Sequence, residues 1–310
     1  MTSSQLQLRA MNVGELLDTT FRLYRRHFWL FIGIVAVVQI PLTLLGVTFE
    51  AFYDPSERIQ AVDQDSGNFW AQYEIQDEYY EDVGLVLAGQ FAMFMLNLFA
   101  VQGLMNGAMA RAVYDHYLGR PRGLADTYRA LGWGWLRLAI ALMLLFMLDI
   151  GVGILLILML ATGSTMLMCL FCIGWIAALV FLTYINVPIL SLLAPAIIIE
   201  NKGVLAGLRR SFELGRRKFW RVLGINFLLA LLAMVVTMPF SFALGMVSIF
   251  WNPDPLLTTA IASSINLVVT LLVTPVRVCG LTLLYFDLRV RLEGFDLELQ
   301  VEQMDAGAMP

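Results

Sequence analysis

Charge is scarce in this sequence. Lys, Arg, Asp and Glu together make up 14% of its 310 residues, where a soluble domain carries about 25%. Hydrophobic residues fill 59% of the chain, and the mean hydropathy is +0.76. That balance excludes an ordinary soluble enzyme and points to a membrane protein. Histidine is scarcer still: only His27 and His116 occur. The three cysteines, Cys169, Cys172 and Cys279, all lie in apolar runs. Cys169 and Cys172 have redox or metal spacing, yet nothing near them completes a site, so all three read as small residues packed between helices. There is no HExxH for zinc, no GxSxG nucleophile elbow and no phosphate loop. An intramembrane aspartyl protease needs two facing aspartates, and only Asp149 lies deep in an apolar run. The expectation is a protein without catalysis, metal or cofactor.

What the sequence has in abundance is long apolar runs. Crossing the ~30 Å hydrocarbon layer takes about 20 residues, and six stretches suffice: about 28–50, 84–110, 135–161, 165–199, 219–250 and 257–286. The first is long enough to span rather than be cleaved as a leader. Pro41, Pro188, Pro195, Pro239 and Pro275 fall inside the runs and suggest kinked or tilted helices. The fourth run is ambiguous, since 189–199 could be a separate interfacial piece.

The basic residues alternate between connections. Arg9, Arg22, Arg25 and Arg26 precede the first span. Arg111, Arg120, Arg122, Arg129 and Arg137 lie between the second and third. Lys202, Arg209, Arg210, Arg216, Arg217, Lys218 and Arg221 lie between the fourth and fifth, and Arg289 and Arg291 follow the sixth. The other connections hold Arg58 alone. This positive-inside pattern places both termini in the cytoplasm. The loop at 51–82 is acidic and aromatic, with Asp54, Glu57, Glu74, Asp77 and Glu81 among its carboxylates. It reads as a solvated extracytoplasmic cap lying at headgroup level, or as a dock for a basic partner.

Short motifs recur. VGELLDTTFRLYRRHFW (13–29) resembles LAGLRRSFELGRRKFW (205–220), and GLADTYRALGWGWLR (123–137) is a fainter copy. Each has apolar residues at helical spacing opposite arginines, the pattern of an interfacial amphipathic helix. The expected architecture is all-α: a single integral membrane domain over 1–310, with six transmembrane helices arranged as three pseudo-repeated hairpins. Each hairpin is preceded by a cytoplasmic amphipathic helix. The units span about 12–113, 120–199 and 203–290, with a cytoplasmic tail at 291–310.

Several of these segments resemble a bacterial and archaeal family, the membrane domain of glycerophosphoryl diester phosphodiesterase. The matching pieces are 13–29, LAPAIIIE (193–200), RRSFELGRRKFWR (209–221), and TP (274–275) leading to LLYFDLRVRLEGFDLE (283–298). The resemblance implies a prokaryotic cytoplasmic (inner) membrane. In larger members such a region is fused to a soluble catalytic barrel, for which this chain has no room, and His27 and His116 lie beside basic segments at the membrane face, so the enzymatic label is not expected to carry over.

Polar residues inside the spans are the remaining clue. Asp149 and Arg277 are expected near mid-membrane, where each would cost roughly 2.5–3.5 kcal/mol if left facing lipid, so they should pair or face a wet interior. Gln90, Asn97, Gln102 and Asn106 give the second span a polar face, with Gly103 and Gly107 in GxxxG spacing. Asn186, Asn226 and Asn266 lie in other spans. Arg25, Arg26, Arg209, Arg210, Arg216, Arg217 and Lys218 are candidate contacts for anionic lipid headgroups. Nucleic acid is not implied, because the basic groups are divided among separate membrane-proximal loops. The leading expectation is a non-catalytic scaffold for lipids or protein partners, and the runner-up is a transporter or lipid-translocating protein using Asp149, Arg277 and the polar face of the second span. A membrane-embedded hydrolase ranks below both. A continuous polar cavity reaching Asp149 and Arg277 would favour transport, and a dry, closed bundle would sink it.

Overall fold

The computed structural model describes residues 11–52, 84–117, 122–161, 165–251 and 255–294. All but the first two residues of the acidic loop 51–82 lie outside the described residues, as does the tail beyond Gly294. The described residues form helices and no strands.

Helix α1 (Val13–Arg26) begins where the Glu15 carboxylate accepts the Asn12 amide at 2.9 Å. It ends with Arg25 and Arg26 in its last turn, matching the charge preference of the two helix ends. Leu16, Thr19, Thr20 and Leu23 are its buried stripe, spaced three and four apart. At His27 the backbone leaves helical geometry, and α2 (Phe28–Phe52) starts at the next residue. The same break recurs later: α7 (Val204–Arg217) ends at Lys218, and α8 (Phe219–Trp251) follows. Between them lie α3 (Gly84–Tyr117), the short α4 (Leu124–Arg129), α5 (Gly134–Ala161) and α6 (Thr165–Ile198). Helix α9 (Pro255–Glu293) is the last.

Six of these helices, α2, α3, α5, α6, α8 and α9, are long and apolar enough to cross a membrane. The chain is therefore an all-helical, multi-pass membrane protein. Pro188 and Pro195 both lie inside α6, so the stretch 189–199, whose status the sequence left open, continues that helix as far as Ile198. Helix α9 runs to Glu293, so the expected tail at 291 starts inside a helix.

The packing has a simple order. Helices α3, α6 and α9, the second, fourth and sixth spans, touch one another. Each remaining span lies against two of them: α2 against α3 and α9, α5 against α3 and α6, α8 against α6 and α9. The short helices pack at the end of the bundle that carries the basic residues: α1 on α9, α4 on α3 and α2, and α7 on α6 and α5. Gly103 permits one close approach. A Cβ there would lie 2.9 Å from Ala139 Cβ and 3.0 Å from the Trp135 carbonyl, so only glycine lets α3 meet α5 at this height.

Candidate functional site

At the basic end, three carboxylates tie the bundle together. Asp287, on α9, is fully buried. It accepts the Met11 amide at 2.8 Å, Arg221 Nε at 2.8 Å and Arg291 Nε at 3.0 Å, while Arg221 and Arg291 both donate to the Met11 carbonyl. This links α1, α8 and α9 through one backbone residue. Glu200, just past α6, accepts from the Tyr285 hydroxyl and Arg210, with Lys202 at 2.9 Å and Arg289 at 3.6 Å. Burial opposes its charge, but the hydrogen bonds from Tyr285, Lys202 and Arg210 outweigh that and hold its carboxyl below the usual range. Asp115, buried on α3, pairs with Arg111 and Arg122. Beside it, the His27 and His116 rings meet at 4.3 Å. Burial, then His116 and Arg26, push the His27 pKa down.

Two residues expected at lipid headgroups are therefore engaged within the protein. Arg210 is a buried-side cation held between Glu200 and Glu293, and Arg209 pairs with Glu213. Arg25, Arg26, Arg216, Arg217 and Lys218 are exposed. They stand next to the exposed Trp29 and Trp220.

Further into the bundle, a cavity of about 440 Å³ lies between α3, α5, α6 and α9. Asp149 and Arg277 both line it, as do Asn97, Gln102 and Asn106. Gln90 is exposed and is not part of its wall. Most of the remaining lining is apolar, supplied by leucines, Phe94, Phe146 and Val278. On α9 the lining residues Thr274, Arg277, Val278, Leu281 and Thr282 share one helical face.

Asp149 and Arg277 do not bond to one another. Both Asp149 oxygens accept from Asn186 Nδ2, each at 3.1 Å. The Asn186 carbonyl oxygen is buried and has no partner among the described residues, which fits the amide turned N–H first toward a carboxylate. Arg277 makes no hydrogen bond or ion pair with any described residue and is exposed to the cavity. Along their helices, Asn186 is central in Gly174–Ile198, Asp149 lies about 7 Å past the centre of Gly134–Leu155, and Arg277 lies about 15 Å along α9 from Asp287 at the basic end.

The wall on α3 depends on local backbone geometry. From Leu98 to Met105 that helix is π-helical, and the Asn106 amide reaches the Val101 carbonyl five residues back. In a regular α-helix residues five apart point about 140° apart. The wider π turn brings Asn97 and Gln102 onto the same cavity, and Asn106 Nδ2 then donates to Gln102 Oε1 at 2.7 Å. Ser191, Thr274 and Thr282 also line the cavity, and Ser191 accepts from Asn226 of α8 at 2.6 Å. The sequence held no signal that would pick these hydroxyls out from other serines and threonines in apolar runs. Asn186 and Asn226 were visible as amides within apolar spans, but their partners were not. Asn266 is exposed. Cys279 is buried without a disulfide, while the side chains of Cys169 and Cys172 lie outside those described. Among the described residues no group of His, Cys, Asp or Glu side chains is placed to hold a metal ion.

A family model described as "Domain of unknown function (DUF7847)" matches residues 11–288. No curated protein and no solved structure matches the chain.

Proposed function

The chain belongs to the DUF7847 family, and from that premise we propose that it is a non-catalytic membrane protein that carries a polar or amphiphilic species through its intramembrane cavity. The observation that carries this reading is the single cavity reaching Asp149, Arg277 and the amides of α3. A scaffold, which the sequence alone favoured, has no need of a cavity within the bundle that holds an acid, a base and several amides in a mostly apolar wall, and ionisable groups inside membrane spans mark substrate pathways.

The same reading has the six spans as three parallel units around a central axis, as in many transporters. In support, the second, fourth and sixth spans meet one another, and each short basic helix docks on the hairpin before it, with α1 closing the ring on α9. In this proposal the short helices are amphipathic and interfacial, and the basic end faces the cytoplasm. There Arg25, Arg26, Arg216, Arg217 and Lys218, beside Trp29 and Trp220, contact anionic headgroups. Kinship with the glycerophosphoryl diester phosphodiesterase membrane domain stays part of the proposal and rests mainly on the 283–298 motif.

Reconstitution into liposomes tests the reading. With head-labelled phospholipids, the protein should speed loss of leaflet asymmetry over protein-free vesicles, and Asp149→Asn with Arg277→Gln should remove at least nine-tenths of that gain. Equal rates with and without protein, for labelled lipids and for small charged solutes, would sink it.

A further inference from the structure

We infer that Arg277 is the anchor of a binding site for the oxyanion head of an amphiphile, a phosphate or carboxylate whose apolar tail lies along the leucine and phenylalanine wall of the cavity. The inference deepens the transport reading above and rests on it for its biological meaning, though not for its test.

The two charges in the cavity are in unequal states. Among the lining residues Asp149 is the one acid and Arg277 the one base. Asp149 is already hydrogen-bonded, because Asn186 donates to both of its oxygens. Arg277 is not: none of its N–H donors has a partner among the described residues. A guanidinium inside a membrane span with open donors is costly unless something satisfies it. Its planar fork matches a carboxylate or phosphate in a bidentate manner, which a water molecule or a single carbonyl cannot reproduce.

The surroundings decide the rest of the ligand. A soluble anion would be best served by a ring of donors, yet apolar side chains make up most of this wall. Mainly apolar walls with a few convergent polar groups suit a ligand with one polar end. Phe94 and Leu190, both exposed, also belong to the lining. They put apolar surface where the cavity meets the flank of the bundle, as an acyl chain reaching in from the bilayer would need. Asn97, Gln102 and Thr274 supply neutral hydrogen-bonding groups for the rest of the head. Asp149 sets the sign: a second negative charge on the ligand would be repelled, so a singly charged head is preferred.

The test is native mass spectrometry of the full chain purified in a neutral detergent. The detergent is doped in turn with phosphatidylglycerol, a long-chain fatty acid, phosphatidylcholine and inorganic phosphate. The wild type should retain one phosphatidylglycerol or fatty acid per chain at least tenfold more tightly than phosphatidylcholine. Millimolar inorganic phosphate should not displace it. Arg277→Gln should lose that bound molecule, with at least a tenfold fall in affinity. Arg277→Lys, which keeps the charge but not the fork, should fall between the two. Arg129→Gln should leave it in place, because Arg129 is exposed on the short helix α4, away from the cavity wall. Equal retention by wild type and Arg277→Gln overturns the site, as does displacement by inorganic phosphate, which would make the ligand a soluble oxyanion. Binding lost in Arg277→Gln, in a protein that moves no lipid between leaflets, keeps the site and refutes only the transport reading.

Discussion

Neutralising Asp287 should loosen the seam between the first and last helices. Asp287→Asn keeps the shape, and its carbonyl oxygen can still accept the Met11 amide. It loses the charge that holds Arg221 at 2.8 Å and Arg291 at 3.0 Å. Removing one partner of a buried pair costs about 3–5 kcal/mol. Here the stranded guanidinium groups are 18% and 29% exposed, so each recovers some water, and both retain the Met11 carbonyl. The expected loss is therefore about 2–3 kcal/mol, a hydrogen bond to charge rather than a whole ion pair. Unfolding by sodium dodecyl sulfate titration in mixed micelles reads the free energy, and hydrogen exchange of the α1 amides reads the place. Exchange should rise in Met11–Leu23 before it rises in α6. Asp287→Asn with Arg221→Gln should cost at least about 1 kcal/mol less than the two single changes added, because the second removes the stranded charge. A change within about 0.5 kcal/mol of wild type, with α1 exchange unaltered, would refute the reasoning.

Other perturbations follow from the same geometry. At Gly215 a Cβ would fall 2.4 Å from Pro188 Cβ and 3.0 Å from its Cα. Gly215→Ala should thus lift α7 off α6, cost about 1–3 kcal/mol, and open the loop around 200–203 to protease. Tyr128 donates to the Ile34 carbonyl at 2.6 Å, and burial pushes its phenol up to about 12. Tyr128→Phe should cost about 1 kcal/mol, and the wild-type phenol should fail to ionise in absorbance titration to pH 11. Acid should act in two steps. His27 has a lowered pKa in the fold, so below about 6.5 the unfolded chain takes up a proton that the fold refuses, and stability falls with pH. Glu200 also has a lowered pKa; its contribution is present above about 4.3 and is lost as pH falls through the folded value. Melting curves from pH 8 to 3.5 check both steps, and His27→Phe should flatten the first alone.

Much of the architecture follows from local chemistry. Spans are legible because apolar length against bilayer thickness is a one-dimensional property, and all six appear as helices within a few residues of their expected ends, except α3 and α9, which run on to Tyr117 and Glu293. Helix α1 starts at Val13, where the first Arg-rich motif begins, and the breaks at His27 and Lys218 each follow the arginine pair of their motif. The basic residues were legible as a set but not one by one. Arg210 looks like its neighbours in sequence, and only the meeting of α6, α7 and α9 gives it two carboxylates.

The candidate site divides in the same way. Sequence alone placed Asp149 and Arg277 well inside apolar runs, because position within a run is counted along one helix. It also marked Asn97, Gln102 and Asn106 as polar in an apolar run. Tertiary structure decided which of them share a space. Rotation about each helix axis depends on what the helix packs against, and on α3 a π-helical stretch resets that rotation midway. Gln90 precedes that stretch and lies on the same side of α3 as Asn97, but about 10 Å further along the axis and outside the cavity wall. Whether two opposite charges neutralise each other is likewise a matter of distance across helices. Asn186 reaches Asp149 first, and Arg277 is left open to the cavity.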